Sequence, residues 1–112
     1  MSNVYIKTFG CSANQSDSEI MAGLLKEAGY KLVDSAKKSD LVIINSCGVK
    51  NRSEFAFFRE IEAARKLKKK IIVAGCIPSG NRKILETKLA GLSVIDVNSI
   101  KEVAEVAKRT LN

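Results

Sequence analysis

The residues best equipped for chemistry are three cysteines, Cys11, Cys47 and Cys76, in a chain of 112 residues that contains no histidine. Without imidazole there is no Ser-His-Asp triad, no ordinary general base near neutral pH, and no route to most zinc sites. An odd number of cysteines does not suit a disulfide framework. Structural zinc asks for four protein ligands, and three thiolates fall one short. Three thiolates do suit a four-iron four-sulfur cluster with one iron left open to an outside ligand. Gly10, Gly48 and Gly75 each adjoin a cysteine, and glycine allows the close backbone approach that a bulky inorganic group requires.

Whether the three thiols meet depends on the elements that carry them. Residues 3–8 read as a short strand and residues 30–33 as another. Residues 41–44 and 71–74 are continuous apolar runs, the pattern of central parallel strands covered on both faces. Residues 93–97 read as a last strand. Between them, Ser16 and Glu19 form a capping pair ahead of Ile20, Met21, Leu24, Leu25 and Ala28, with Gly29 at the C-cap. Asn51 and Glu54 open a second helix carrying Phe55, Phe58, Ile61 and Ala64, closed by residues 68–70. Residues 82–89 read as a third helix. Ser99 and Glu102 open a final one bearing Ile100, Val103, Val106, Ala107 and Leu111.

This alternation predicts an α/β fold: a mainly parallel sheet of about five strands, helices on both faces, flavodoxin-like in strand order. One domain over residues 1–112 is expected. Residues 10–15 and 45–50 are predicted as loops. Each cysteine then lies just past a strand, and parallel strands share their carboxyl ends on one edge, where sites in such sheets gather.

Composition sets further bounds. Hydrophobic residues make up 46% and charged residues 28%, and no apolar run approaches the roughly 18–20 residues of a membrane span. No signal peptide is visible at the start, so a cytoplasmic protein without a membrane partner is expected. The net charge of +7, from 19 Lys+Arg against 12 Asp+Glu, favours a polyanionic partner, although a lysine-rich surface also serves solubility or heat adaptation. Aromatic content of 5% leaves little for base stacking.

At the level of motifs, residues 8–19 (TFGCSANQSDSE), 40–50 (DLVIINSCGVK) and 73–78 (VAGCIP) resemble, in order, three motifs of the tRNA methylthiotransferases. The likeness runs nearly end to end. Residues 45–47, 74–78 and 91–95 are most similar to the archaeal and eukaryotic branch, which acts on threonylcarbamoyladenosine next to the anticodon. The resemblance implies an N-terminal domain whose auxiliary four-iron four-sulfur cluster is held by Cys11, Cys47 and Cys76, with an open iron serving sulfur insertion at C2 of the adenine. It implies cluster-loop support from Asn14, Asp17, Asn45 and Ser46. It also implies tRNA as partner; read from the basic residues themselves, Lys50, Arg52, Lys68, Lys69 and Arg82 are the candidate contacts. The family's radical S-adenosylmethionine domain, with its CxxxCxxC motif and second 4Fe-4S cluster, and its C-terminal RNA-binding domain are absent from this sequence. An excised domain, inactive without the rest of the full-length enzyme, is therefore expected.

Two other readings compete. One is a non-catalytic basic module that docks tRNA or a protein. The other is a cysteine phosphocarrier or phosphatase, in which a cysteine also follows the first strand. That chemistry wants an arginine to grip phosphate bidentately, whereas residues 11–17 end in Asp17 and the other two cysteines would go unused.

Overall fold

The computed structural model describes residues 2–9, 12–47, 52–76 and 92–111. In chain order these form β1 (Asn3–Phe9), α1 (Ser12–Glu27), β2 (Lys31–Leu32), β3 (Leu41–Cys47), α2 (Arg52–Lys66), β4 (Lys70–Cys76) and β5 (Ser93–Asp96). A short 3₁₀ helix (Val97–Glu102) then leads into α3 (Val103–Leu111). The sheet has the order β2-β1-β3-β4-β5 and every pairing is parallel. This is the flavodoxin-like doubly wound order expected from the alternation.

The period-2 alternation of β3 and β4 explains why both runs are apolar throughout. Leu41, Ile43, Ile72 and Ala74 pack under α1 and α3, against Met21, Leu25, Val103 and Ala107. Val42, Ile44, Ile71 and Val73 pack on the opposite face against Ile61 and Ala64 of α2. All eight strand residues are buried, so both faces of the sheet centre are covered.

Two helix ends are closed by the same device. Tyr30 N–H donates to Leu25 O and Gly29 N–H to Lys26 O, both at 3.0 Å, and Gly29 has φ of 96°. This is a Schellman cap, with Tyr30 packed on the cluster that holds Leu25. At the end of α2, Lys69 N–H donates to Ala64 O (3.0 Å) and Lys68 N–H to Arg65 O (2.9 Å). There the left-handed position falls to Lys68, at φ 58°. Lysine holds it at a cost of about 1 kcal/mol relative to glycine.

Several sequence expectations are corrected. Helix α1 begins at Ser12, a turn before the Ser16–Glu19 pair. The early turn is held by tertiary hydrogen bonds to Asn14, which capping rules do not register. Strands β3 and β4 continue through residue 47 and residue 76, because the ladder runs on through Asn45↔Ala74, Ser46↔Gly75 and Cys47↔Cys76. Residues 45–47 are thus strand, not loop. Ile20 is 49% exposed, so the buried stripe of α1 is narrower than its apolar pattern. The expected helix at 82–89 lies outside the described residues.

Candidate functional site

The strands end in register. Phe9↔Ser46, Ser46↔Gly75 and Gly75↔Asp96 form one row across β1, β3, β4 and β5. In the next row toward the carboxyl edge, Cys47 and Cys76 are direct partners. Neighbouring strands lie about 4.8 Å apart, so two cysteines 29 positions apart in sequence are brought to adjacent backbone positions. Cys11 lies outside the described residues, as do the side chains of Cys47 and Cys76. Its neighbours are placed: Phe9 ends β1 in the row beneath, and α1 starts at Ser12.

Beneath this edge lies a buried polar network. Asn45 is fully buried, and Ser46, Asn14 and Ser18 are 3%, 5% and 8% exposed. Asn45 Nδ2 donates to the Asn14 carbonyl oxygen and to Ser18 Oγ, each at 2.9 Å. Asn14 Nδ2 donates to Asn45 Oδ1 at 3.4 Å, and Ser18 Oγ shares a 2.6 Å hydrogen bond with Thr8 Oγ1. The network stitches β1, α1 and β3 together at the end of the sheet that carries the cysteines. Asn14 stands three residues after Cys11 and Asn45 two before Cys47 in the sequence, and their mutual hydrogen bonds tie the first turn of α1 to the end of β3. All its members are neutral, so none of these bonds titrates.

Ser46 is the exception. Among the described residues its Oγ is the buried side-chain oxygen with no hydrogen-bond partner, although burial of an unpaired hydroxyl is unfavourable by about 1–3 kcal/mol. Beside it in register, Phe9 packs against the α2-side core and carries Lys7 Nζ 5.6 Å from its ring centroid.

Of the residues proposed to support the cysteines, Asn14 and Asn45 meet directly. Asp17 is half-exposed on α1 and takes no part in the network. Thr8 and Ser18 were missed by sequence reasoning. A signal existed: Asn14, Ser18, Met21 and Leu25 follow at spacings of four, three and four, so the inward stripe of α1 runs one turn further back in polar residues. Of the candidate tRNA contacts, Lys50, Arg82 and the side chain of Arg52 lie outside the described residues. Lys68 and Lys69 sit past the end of α2, next to the start of β4 at Lys70. That is the opposite edge of the sheet from Cys47 and Cys76.

Among the described residues no helix is long and apolar enough to cross a membrane. Comparison with known proteins places the chain. The threonylcarbamoyladenosine tRNA methylthiotransferase of Drosophila pseudoobscura pseudoobscura is 50% identical over 108 residues, covering 96% of this chain and 19% of that protein. The Homo sapiens protein of the same name is 44% identical over 96% of this chain and 18% of its own. A probable threonylcarbamoyladenosine tRNA methylthiotransferase of Pyrococcus horikoshii is 37% identical over 97% of this chain and 26% of its own. The chain thus spans between about a fifth and a quarter of the length of these relatives. In solved structures the fold is similar to a short-chain flavodoxin associated with a bacterial microcompartment, at a TM-score of 0.65 and 14% identity over 100% of both chains. It is also similar to Megasphaera elsdenii flavodoxin, at 0.64 and 17% over 95% of this chain and 98% of that one. At such identities the likeness concerns the fold alone. A family model matches residues 3–96, a span that takes in the whole sheet and all three cysteines, and the chain belongs to the uncharacterized protein family UPF0004.

Proposed function

We propose that this chain is the auxiliary-cluster domain of a tRNA methylthiotransferase that adds a methylthio group to C2 of N6-threonylcarbamoyladenosine beside the anticodon. The observation that carries the proposal is the pairing of Cys47 with Cys76 in the last row of the two central strands, on the edge where parallel sheets of this order hold ligands. The names of the relatives that match nearly the whole chain support the substrate. Cys11, Cys47 and Cys76 are the proposed ligands of a four-iron four-sulfur cluster.

The donor set fits that group. Three thiols and no histidine suit iron–sulfur ligation with one position open. The unpartnered, buried Ser46 Oγ directly precedes Cys47. When bound, such a cluster supplies an open iron at which sulfur is held for transfer. The chain's own part is to hold the thiols. The β3–β4 ladder sets Cys47 beside Cys76, and the Asn14–Asn45 contacts set the start of α1 against β3. Radical generation belongs to a CxxxCxxC segment binding S-adenosylmethionine and a second cluster, a spacing that residues 11, 47 and 76 do not have.

Anaerobic reconstitution with ferrous iron and sulfide tests the assignment. Wild type is expected to take up about four irons per chain and, once reduced, to give an EPR signal of a four-iron cluster. Cys11→Ala, Cys47→Ala and Cys76→Ala are each expected to lose it. Equal iron incorporation by wild type and the three variants would remove the three-thiolate site.

A further inference from the structure

Among the described residues, a cluster of positive charge lies at the end of the sheet opposite Cys47 and Cys76. Residues 31–40 and 65–70 contain eight lysines and arginines against two aspartates, a net of +6, beside +7 for the whole chain. The fold brings these two segments together. Lys69 Nζ donates to the Lys37 carbonyl oxygen at 3.4 Å. Lys70 N–H donates to Asp40 O at 3.3 Å, and Lys31 pairs with Asn3 where β1 and β2 begin. Lys37, Lys66, Lys68 and Lys70 are all exposed.

The two aspartates offset only part of the cluster. Asp34 is engaged with Lys38 at 3.3 Å, and Asp40 Oδ2 accepts the Asn3 backbone N–H at 2.8 Å. The helix dipole accounts for Arg65 and Lys66 in the last turn of α2. It does not account for Lys68, Lys69 and Lys70, which lie past the helix, nor for Lys37. Lys68 occupies a left-handed position where glycine is favoured, so a cation stands there despite the backbone.

From this geometry we infer that the amino-terminal edge of the sheet is a docking surface for the phosphate backbone of RNA. Lysines are compact point charges suited to phosphate. The pole lacks the aromatic anchors on which protein interfaces depend, and Leu67 is its one exposed large apolar side chain. With seven lysines to one arginine and no aromatic residue in either segment, the surface is expected to hold RNA irrespective of sequence. β3 spans seven residues, which puts the pole about 20 Å from the cysteine edge. At about 3.4 Å per stacked nucleotide, that corresponds to about six nucleotides of strand. Helix α2 runs from one edge to the other along a single face. The pole therefore grips RNA at a distance from a base presented to the cysteines. The choice of RNA goes with the function proposed above, but the binding needs no cluster.

The test is fluorescence anisotropy of a labelled RNA stem–loop with the iron-free chain across a salt series. Each phosphate contact contributes about −0.9 to the slope of log K against log salt. Lys68→Gln/Lys70→Gln is expected to flatten the slope by about 1.5–2 and to weaken binding at least about tenfold near 0.1 M salt. Arg59→Gln/Lys101→Gln removes the same charge away from the pole and is expected to change affinity less than about twofold. Equal losses in the two doubles, or no RNA binding by wild type at low salt, would overturn the inference. So would poly-glutamate competing as well as the RNA at equal charge concentration, which would assign the pole to an acidic protein surface. Because iron is absent throughout, failure here leaves the three-thiolate site untouched, and failure of reconstitution leaves this surface untouched.

Discussion

Asn45→Ala should test the buried network most directly. The substitution removes the two 2.9 Å bonds from Asn45 Nδ2, to Asn14 O and Ser18 Oγ, and the longer 3.4 Å bond into its Oδ1. A buried hydrogen bond is worth about 1 kcal/mol net, so the three together contribute roughly 2.5 kcal/mol, and the small cavity left by the side chain brings the expected loss to about 3 kcal/mol. With an m-value of about 1.5 kcal/mol/M in urea, the unfolding midpoint should fall by about 2 M. Circular dichroism followed through a urea titration reads this directly. Ser18→Ala removes the bonds to Asn45 and Thr8 and should cost about 1.5 kcal/mol, and the double variant should show about 1 kcal/mol of coupling. Hydrogen exchange should quicken in the first turns of α1 and leave α3, which shares none of these bonds, unchanged. A loss below 1 kcal/mol, or no coupling, would mean that the network does not hold α1 against β3.

Lys68→Gly should stabilise the chain by about 0.5–1 kcal/mol, since it relieves a left-handed lysine at an exposed cap; a thermal melt should shift upward by roughly 4 °C, and a downward shift would refute the assignment of strain. Gly29→Ala should cost about 1 kcal/mol through its φ of 96°, because a Cβ there would meet nothing within 4 Å; a much larger loss by urea titration would point to a clash. Ser46→Ala should leave stability unchanged or raise it by up to about 1 kcal/mol, because the buried Oγ has no partner to lose; a cost above 1.5 kcal/mol in the same assay would show that the hydroxyl is engaged.

The fold was legible because its signals were redundant. Residues 41–44 and 71–74 could belong only to covered strands, and Gly29 marked the end of α1 where the cap indeed lies. The extension of β3 and β4 through Asn45, Ser46 and the cysteines was not legible. Polar residues at a strand end resemble a loop until their partners are known, and those partners come from α1, 27 and 31 positions away. The start of α1 failed for the same reason: Asn14 is fixed by Asn45, a tertiary contact that overrides the local capping preference of Ser16. Convergence of Cys47 and Cys76 followed from parallel topology, whereas their identity as exact register partners required the ladder itself. The lysines were visible as a run in the sequence. Their location on the edge opposite the cysteines was not, because residues 31–40 and 65–70 meet only through the crossover that α2 makes.

This layout separates three tasks along one axis. The middle of the sheet, residues 42–44 and 71–73, is buried and apolar on both faces and carries the stability. The polar network and the cysteine row occupy one end, and the lysine pole the other. About 20 Å of packed sheet lies between them, well beyond the 7–10 Å over which substitutions couple. Asn45→Ala and Lys68→Gly should therefore add: the double variant should lie about 2–2.5 kcal/mol below wild type, within about 0.5 kcal/mol of the sum of the singles. A larger departure would mean that the apolar middle transmits strain from one end to the other. The two edges could not then be read as independent sites on one rigid sheet, and a change at the lysine pole would alter how the cysteines are held.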